Sequence, residues 1–379
     1  MKILLVIPSE FNKCPRARRL YFELTKHHDV NFICRPAIDD EEDDDRRGYL
    51  TKNIQSKFTR WLTRLLIKVG LIGSALKLFM SSYDPGEVAD GEYDFVFVYH
   101  LYLLPLFAEF QKSAIVFDAR ECYPVQRAHD PKWRETFGKL ADYVCRHYMP
   151  LCDTVTTVSP SMVTYYRQLI GIECQLFSSY PRIELRPEAY STKPTQLPIR
   201  LVHHGIADSK RGLERMIELM DLLEDKFTLD LMLVSQPGNE YFDVLEKLAD
   251  ARSNVNLVAP VKPDEVIRFT SQYDMGIFLP SDNGSQNKYC LPNKYFEFLY
   301  AGLPVITSAS EDMKLLTEEH ALGVAFIDES LAEIAKILTQ LTVDDVDDFR
   351  KNLQQNITDW TLQNNVRRVF PQLVSNAVE

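Results

Sequence analysis

The stretch Leu291-Pro292-Asn293-Lys294-Tyr295-Phe296-Glu297-Phe298-Leu299-Tyr300-Ala301-Gly302-Leu303-Pro304-Val305-Ile306 holds one complete structural unit. Asn293 reads as an N-cap, because its short side chain can accept from the first free amides of a helix. A short helix rich in aromatic residues follows. Gly302 stops it and Pro304 stands just beyond. Pro304–Thr307 then reads as a buried strand. A helix feeding a near-continuously apolar strand implies a parallel sheet covered on both faces, hence an α/β fold.

The same alternation runs outward in both directions. One series of strands is read at Lys2–Ile7, Val30–Cys34, Asp94–Tyr99, Ala114–Asp118, Thr154–Val158 and Gln175–Ser178. A second is read at Ile199–His203, Leu229–Val234, Val255–Val258, Met275–Phe278, Pro304–Thr307 and Val324–Phe326. Helical spacing links Trp133, Phe137, Leu140, Val144, Cys145 and Tyr148, and again Leu213, Met216, Ile217, Met220 and Leu223. Ile183–Pro198 has three prolines and neither period, so the linker is placed at 186–198. The expected domains are 1–185 and 199–355, with 356–379 as a terminal helix. Doubly wound domains bind ligands at the carboxyl ends of their strands. If two such edges face each other, the catalytic site is the cleft between them.

Length and composition agree. The 379 residues suit two domains of ~180. A net charge of -11 argues against a general nucleic-acid binder. The seven cysteines, at 14, 34, 122, 145, 152, 174 and 290, form no C-x-x-C pair and read as reduced core residues of a cytoplasmic protein. The apolar run after Lys2 is too short for a signal peptide or a membrane span. The sequon at Asn356 is expected to be chance.

His203-His204-Gly205-Ile206-Ala207-Asp208-Ser209-Lys210-Arg211-Gly212-Leu213 is a strand end, a loop bounded by glycines and a helix start. Backbone amides and Arg211 there suit a diphosphate, although such punctuation is ordinary in α/β chains. Glu297 is either an ion-paired or solvated glutamate, or a bidentate acceptor for two vicinal ribose hydroxyls.

Together these segments resemble the donor half of glycosyltransferase family 4, whose members have the GT-B fold: two Rossmann-like, doubly wound parallel-sheet domains facing each other across a cleft. Gly205, Arg211 and Gly212 match the first signature. Pro292, Lys294, Glu297, Gly302, Pro304 and Val305 match the second, Pro-x-Lys-x-x-Glu-x-x-x-x-Gly-x-Pro-Val. The resemblance covers about 1–35 and 94–379. It implies that Arg211 holds the donor diphosphate, that Glu297 binds ribose, and that the helix start at Asn293–Lys294 cradles phosphate. Ile206 stands where many members have a second arginine, with Lys210 a candidate substitute. Tyr289 stands where many have a sugar-binding glutamate. Asp282, Asn283, Ser285, Asn287 and Tyr289 then form the loop toward the sugar, with Tyr289 and Asn287 foremost.

The opening strand followed by Pro15-Arg16-Ala17-Arg18-Arg19 also resembles the family. Arg16 and Arg19 would approach donor phosphate, or lie on a solvated face. Asp118-Ala119-Arg120-Glu121 ends another strand, with arginine where a subset of relatives has histidine. Arg120 can bind phosphate or a sugar hydroxyl but cannot act as a base. Proton handling would fall to Glu121 or Asp118, unless Arg120 simply pairs with one of them. His100 either lines the same cleft or is structural. Ser159 reads as an N-cap. Trp360 precedes a terminal helix that, in relatives, braces the first domain.

From Arg46 to Tyr83 there are eight basic residues and no acidic one. Arg60, Arg64 and Lys68 recur every four residues, with Phe58, Trp61, Leu62, Leu65, Val69 and Ile72 expected on the opposite stripe. This segment, about 52–80, reads as a helix at an anionic membrane surface, or as a core helix with snorkelling cations. The acidic run Asp39–Asp45 reads as a solvated loop, not a metal site.

The resemblance implies a retaining, metal-independent glycosyltransferase without cofactor. It would use a UDP- or GDP-linked sugar and a glycan or lipid-linked acceptor, in cell-surface polysaccharide synthesis, in the cytoplasm or at the inner face of the cell membrane. A sugar-nucleotide epimerase and a catalytically silent subunit binding a glycan or membrane partner remain alternatives.

Overall fold

The computed structural model describes residues 1–36, 47–52, 55–86, 91–108, 112–188, 190, 193–280 and 286–374, the side chains of 51, 52, 210, 224 and 286 excepted. The chain forms two compact units. One holds Met1–Ser178 and the residues from Asn365 on; the other holds Ser179–Asn283 and Asn287–Asn364.

The first unit is built on β1 (Lys2–Val6), β2 (Asp29–Cys34) and β3 (Arg47–Tyr49). A separate antiparallel pair, β4 (Thr51–Lys52) and β5 (Tyr83–Asp84), follows. The main sheet continues with β6 (Phe95–Val98), β7 (Ala114–Ala119), β8 (Thr154–Thr157) and β9 (Gln175–Leu176). Its seven parallel strands stand in the order β3-β2-β1-β6-β7-β8-β9. Ile3, Leu4, Leu5 and Val6 are all buried, as a strand covered on both faces requires. Each such side chain stabilises the fold by about 1.5–3 kcal/mol relative to exposure. Phe370 joins this unit, edge-on against Phe97 and Phe177.

The second unit holds β10 (Ile199–Ile206), β11 (Phe227–Val234), β12 (Val255–Val258), β13 (Met275–Phe278), β14 (Val305–Thr307) and β15 (Gly323–Ala325). All are parallel, in the order β12-β11-β10-β13-β14-β15. The direction of strand addition reverses between β10 and β13, so loops after these strands diverge and leave a crevice. Successive residues serve opposite faces. Leu201, Met275, Ile277 and Ile306 enter one core cluster; Val202 and Val305 enter another with Phe298 and Leu299. On that second face Gly276 has no side chain, and an added Cβ would stand 2.3 Å from the Phe298 ring. The missing atom lets the helix Asn293–Tyr300 lie close on the sheet.

All twelve strands read from the sequence are present, with ends shifted by at most three residues. The described residues of 183–198 lie along the second unit. Arg186 donates to the Ile357 carbonyl at 2.8 Å and Thr195 Oγ1 donates to Asp347 at 2.7 Å. Trp360 stacks on Tyr180 just before the helix Leu362–Val369. Ser159 caps the helix Pro160–Ile170, accepting from the Met162 amide. None of the seven cysteines, all among the described residues, forms a disulfide. Burial pushes the Cys152 and Cys174 thiols up to about 12, which leaves them unreactive.

The basic stretch forms two helices, Lys57–Lys68 and Ile72–Met80. Ser56 caps the first, its hydroxyl accepting from the Thr59 amide. The expected opposition of cations and apolar residues is corrected by the structure. Thr63 and Ile67 are buried, while Phe58, Trp61, Leu65 and Val69 are exposed beside the cations. The helix thus needs three sectors instead of two, because one side already packs on the domain. The acidic run 39–45 and the loop residues Asp282, Asn283 and Ser285 lie outside the described residues. No described helix is long and apolar enough to cross a membrane.

Candidate functional site

β10 ends in His203-His204-Gly205-Ile206, and the helix Asn293–Tyr300 starts nearby. The structure moves the helix N-cap from Asn293 to Pro292, which has extended backbone and no capping side chain. Asn293 becomes the first helical residue. Lys294 and Glu297 are three apart and share a helix face.

Gly205 adopts φ +149°, a conformation that side-chain-bearing residues avoid. Where its Cβ would stand, Lys294 Nζ lies at 3.1 Å and Arg211 Nη1 at 3.3 Å. Two cationic side chains therefore converge on bare backbone. Arg211 closes the short turn Ser209–Arg211, its amide donating to the Asp208 carbonyl at 2.9 Å. Gly212 at φ +58° then redirects the chain into the helix Glu214–Met220.

Lys294 is buried, and its neighbours explain how. His203 Nδ1 lies 2.8 Å from the Ile277 carbonyl, so it carries the ring proton. His203 Nε2 is then an acceptor, and Lys294 Nζ donates to it at 3.1 Å. The ammonium also sits 4.4 Å from the centre of the Phe278 ring. Burial, then the charge of Arg211, hold Lys294 well below its ordinary value, with Glu297 opposing the shift. Burial and the nearby Lys294 likewise depress His203 and keep it neutral. Glu297 Oε2 stands 3.5 Å from His204 Nε2, and His204 meets the Phe298 ring edge-on. The site thus combines Gly205, Arg211, Lys294 and Glu297 with His203 and His204. Sequence reasoning assigned the two histidines no role, although the pair at a strand end was visible. Such an arrangement can receive a dianion: two cations, a glycine that lets it approach, and a helix start.

Other donor-side residues are less concentrated. Asn287 and Tyr289 are half-buried in the turn Gln286–Tyr289, with Lys288 Nζ 4.8 Å from the centre of the Tyr289 ring. Ile206 is exposed. The Lys210 side chain lies outside the described residues. Among the described residues, no group of three metal-ligating side chains occurs.

In the first unit the expectations for Arg16 and Asp118 are corrected. Arg16 lies on no solvated face: it is buried and donates to both Asp118 oxygens, at 2.6 and 2.9 Å. It also donates to the Phe177 carbonyl and stacks on that ring. Thr156 Oγ1 donates to the same carboxylate at 2.8 Å. Both groups are therefore spent on each other, and the Asp118 oxygens are taken up by Arg16 and Thr156. Arg120 does not hydrogen-bond either neighbouring carboxylate; it donates to the Tyr99 carbonyl at 2.9 Å and to Cys14 Sγ at 3.4 Å. His100 Nδ1 accepts from the Tyr102 amide and caps a short turn. Arg19 and Glu121 are half-buried.

Two Rossmann-like units, each a doubly wound parallel sheet, define the GT-B fold. Residues 226–364 match the family described as Glucosyltransferase 3-like, C-terminal domain. No curated protein sequence matches the chain. Among solved structures, Anabaena Alr3699/HepE in complex with UDP and glucose is similar at TM-score 0.65 and 13% identity, over 99% of this chain and 100% of that one. WaaG, a glycosyltransferase involved in lipopolysaccharide biosynthesis, is similar at TM-score 0.62 and 12% identity, over 98% and 100%. A point mutant of S. aureus TarM, in complex with Fondaparinux, alpha-GlcNAc-glycerol and UDP, gives TM-score 0.57 and 11% identity over 74% of this chain. The match spans only 55% of that TarM chain.

Proposed function

We propose that this protein is a glycosyltransferase that moves a sugar from a nucleotide diphosphate donor to a glycan or lipid-linked acceptor, with retention at the anomeric carbon. The observation that carries the reading is the convergence of Lys294 and Arg211 on Gly205, on the helix face that bears Glu297. The family match over 226–364 and the nucleotide-bound GT-B neighbours support it.

In this reading the donor diphosphate lies against Gly205. Arg211 and Lys294 neutralise it in place of a metal ion, each charge-assisted contact contributing about 1.5–3 kcal/mol. Glu297 accepts from the two ribose hydroxyls. Tyr289 and Asn287 face the sugar. The bond from the anomeric carbon to phosphate breaks, its electrons leave with the diphosphate, and the acceptor oxygen bonds on the same face. The acceptor proton passes to the departing phosphate. Membership of family 4, a UDP or GDP donor and a role in cell-surface polysaccharide synthesis belong to the same proposal. A lipid-linked acceptor would place the reaction at the cytoplasmic face of the cell membrane.

Calorimetric titration with UDP and GDP, followed by transfer assays over an acceptor panel, tests the reading. Arg211→Ala and Glu297→Ala are each expected to lower transfer by about 100-fold or more while the fold survives. Wild-type transfer by both variants would sink the assignment. Donor conversion without acceptor would identify an epimerase, and nucleotide binding without turnover a silent subunit.

A further inference from the structure

The helix Lys57–Lys68 exposes side chains that the transfer reaction does not explain. At ~100° per residue, Trp61, Leu65, Phe58 and Val69 fall within an arc of ~80°. Arg60, Arg64, Lys57 and Lys68 occupy an adjoining arc of similar width. The remaining arc, holding Thr63 and Ile67, is buried on the first unit. Phe58 is 67% exposed, Trp61 55%, Leu65 38% and Val69 61%; Leu71, just beyond, is 56% exposed. The Phe58 and Trp61 rings stack 5.8 Å apart and present one aromatic plate to solvent. Among the described residues, no carboxylate pairs with Lys57, Arg60, Arg64 or Lys68.

We propose that these two exposed sectors dock the protein on an anionic lipid bilayer, with the aromatic plate in the headgroup layer and the cations against lipid phosphate. Charge decides the occupant. The chain carries -11 overall, so a local cluster of four cations that no carboxylate among the described residues pairs with favours a negative surface where the rest of the molecule does not. A second copy of the same face would set cation against cation. Twelve residues span only about 18 Å as a helix, too short to cross a bilayer but suited to lie along one. The buried sector fixes the helix to its domain, so the apolar strip is held outward without ordering cost on docking.

Sedimentation of the full chain with vesicles tests this independently of any transfer activity. Binding is expected to vesicles containing about 30 mol % phosphatidylglycerol, with little to phosphatidylcholine alone and a marked loss at high salt. The Trp61 contribution to fluorescence, isolated by comparison with Trp61→Phe, should shift to shorter wavelength on binding. Phe58→Ser with Trp61→Ser, and separately Arg60→Gln with Arg64→Gln, should each lower vesicle affinity about tenfold or more. Melting temperature and UDP affinity should hold, because these side chains are exposed and remote in sequence from the nucleotide residues. No binding to anionic vesicles, or binding that both double variants retain, would overturn the proposal. So would a dimer in light scattering that the serine variant abolishes while vesicles stay unbound.

Discussion

Near the carboxyl end of β7, Arg16 and Asp118 cancel one another through two short hydrogen bonds. Near the end of β10, Lys294 and Arg211 stand side by side against one glycine, with a neutral histidine and an aromatic face around the lysine. Both sheets are parallel and both bury charge at the same edge. In one the charge is spent on the fold. In the other, two cationic side chains are held together at a cost in stability, as the proposed diphosphate site would require.

That contrast can be broken most sharply in the first unit. Asp118→Ala leaves Arg16 buried without its partner and is expected to cost about 3–5 kcal/mol by chemical denaturation. A loss under ~1 kcal/mol would show that the pair is not structural.

In the second unit the sign should reverse. Lys294→Met is expected to raise stability at neutral pH, since burial disfavours the ammonium, while lowering UDP affinity about 100-fold. The folded chain disfavours the Lys294 ammonium, so the unfolded chain binds more protons. Stability therefore rises with pH between the depressed value and the ordinary 10.5, and the methionine variant should lose that slope. A bound diphosphate favours the Lys294 ammonium, so within that pH window nucleotide binding should take up a proton and weaken as pH rises. Calorimetry in buffers of different ionisation enthalpy measures that proton directly.

The smallest effect is expected at Gly205→Ala. Its methyl would stand 3.1–3.3 Å from both cationic groups on a backbone at φ +149°. About 1–2 kcal/mol of stability and roughly tenfold in UDP affinity should be lost. An unchanged affinity would mean that the ligand does not approach the glycine.

Strand positions were legible in the sequence because Val, Ile, Leu and Phe run unbroken wherever both sheet faces are covered. β3, Arg47-Gly48-Tyr49, was not, since an edge strand of three residues has no apolar run to display. Gly205, Arg211, Lys294 and Glu297 were singled out by the resemblance that their spacing carries to glycosyltransferase family 4. His203 was not, because its role depends on the Ile277 carbonyl 74 positions away, and no local pattern reports which ring nitrogen a distant backbone group will fix. Arg16 misled for a similar reason. Arginines near a helix start look solvent-facing until a carboxylate 102 residues later folds beneath one of them. On Lys57–Lys68 the periodicity was clear, but which third of the helix meets the domain is decided by its neighbours.

Gly276 carries a constraint of a different kind. It touches no ligand in any reading, yet its bareness sets the thickness of the layer between β13 and the helix bearing Lys294 and Glu297. A methyl there would lift that helix off the strand and carry both side chains away from Gly205 together. Variation at this position should therefore be limited by a spacing of a few ångströms rather than by chemistry, and damage done there would look catalytic while arising in the packing.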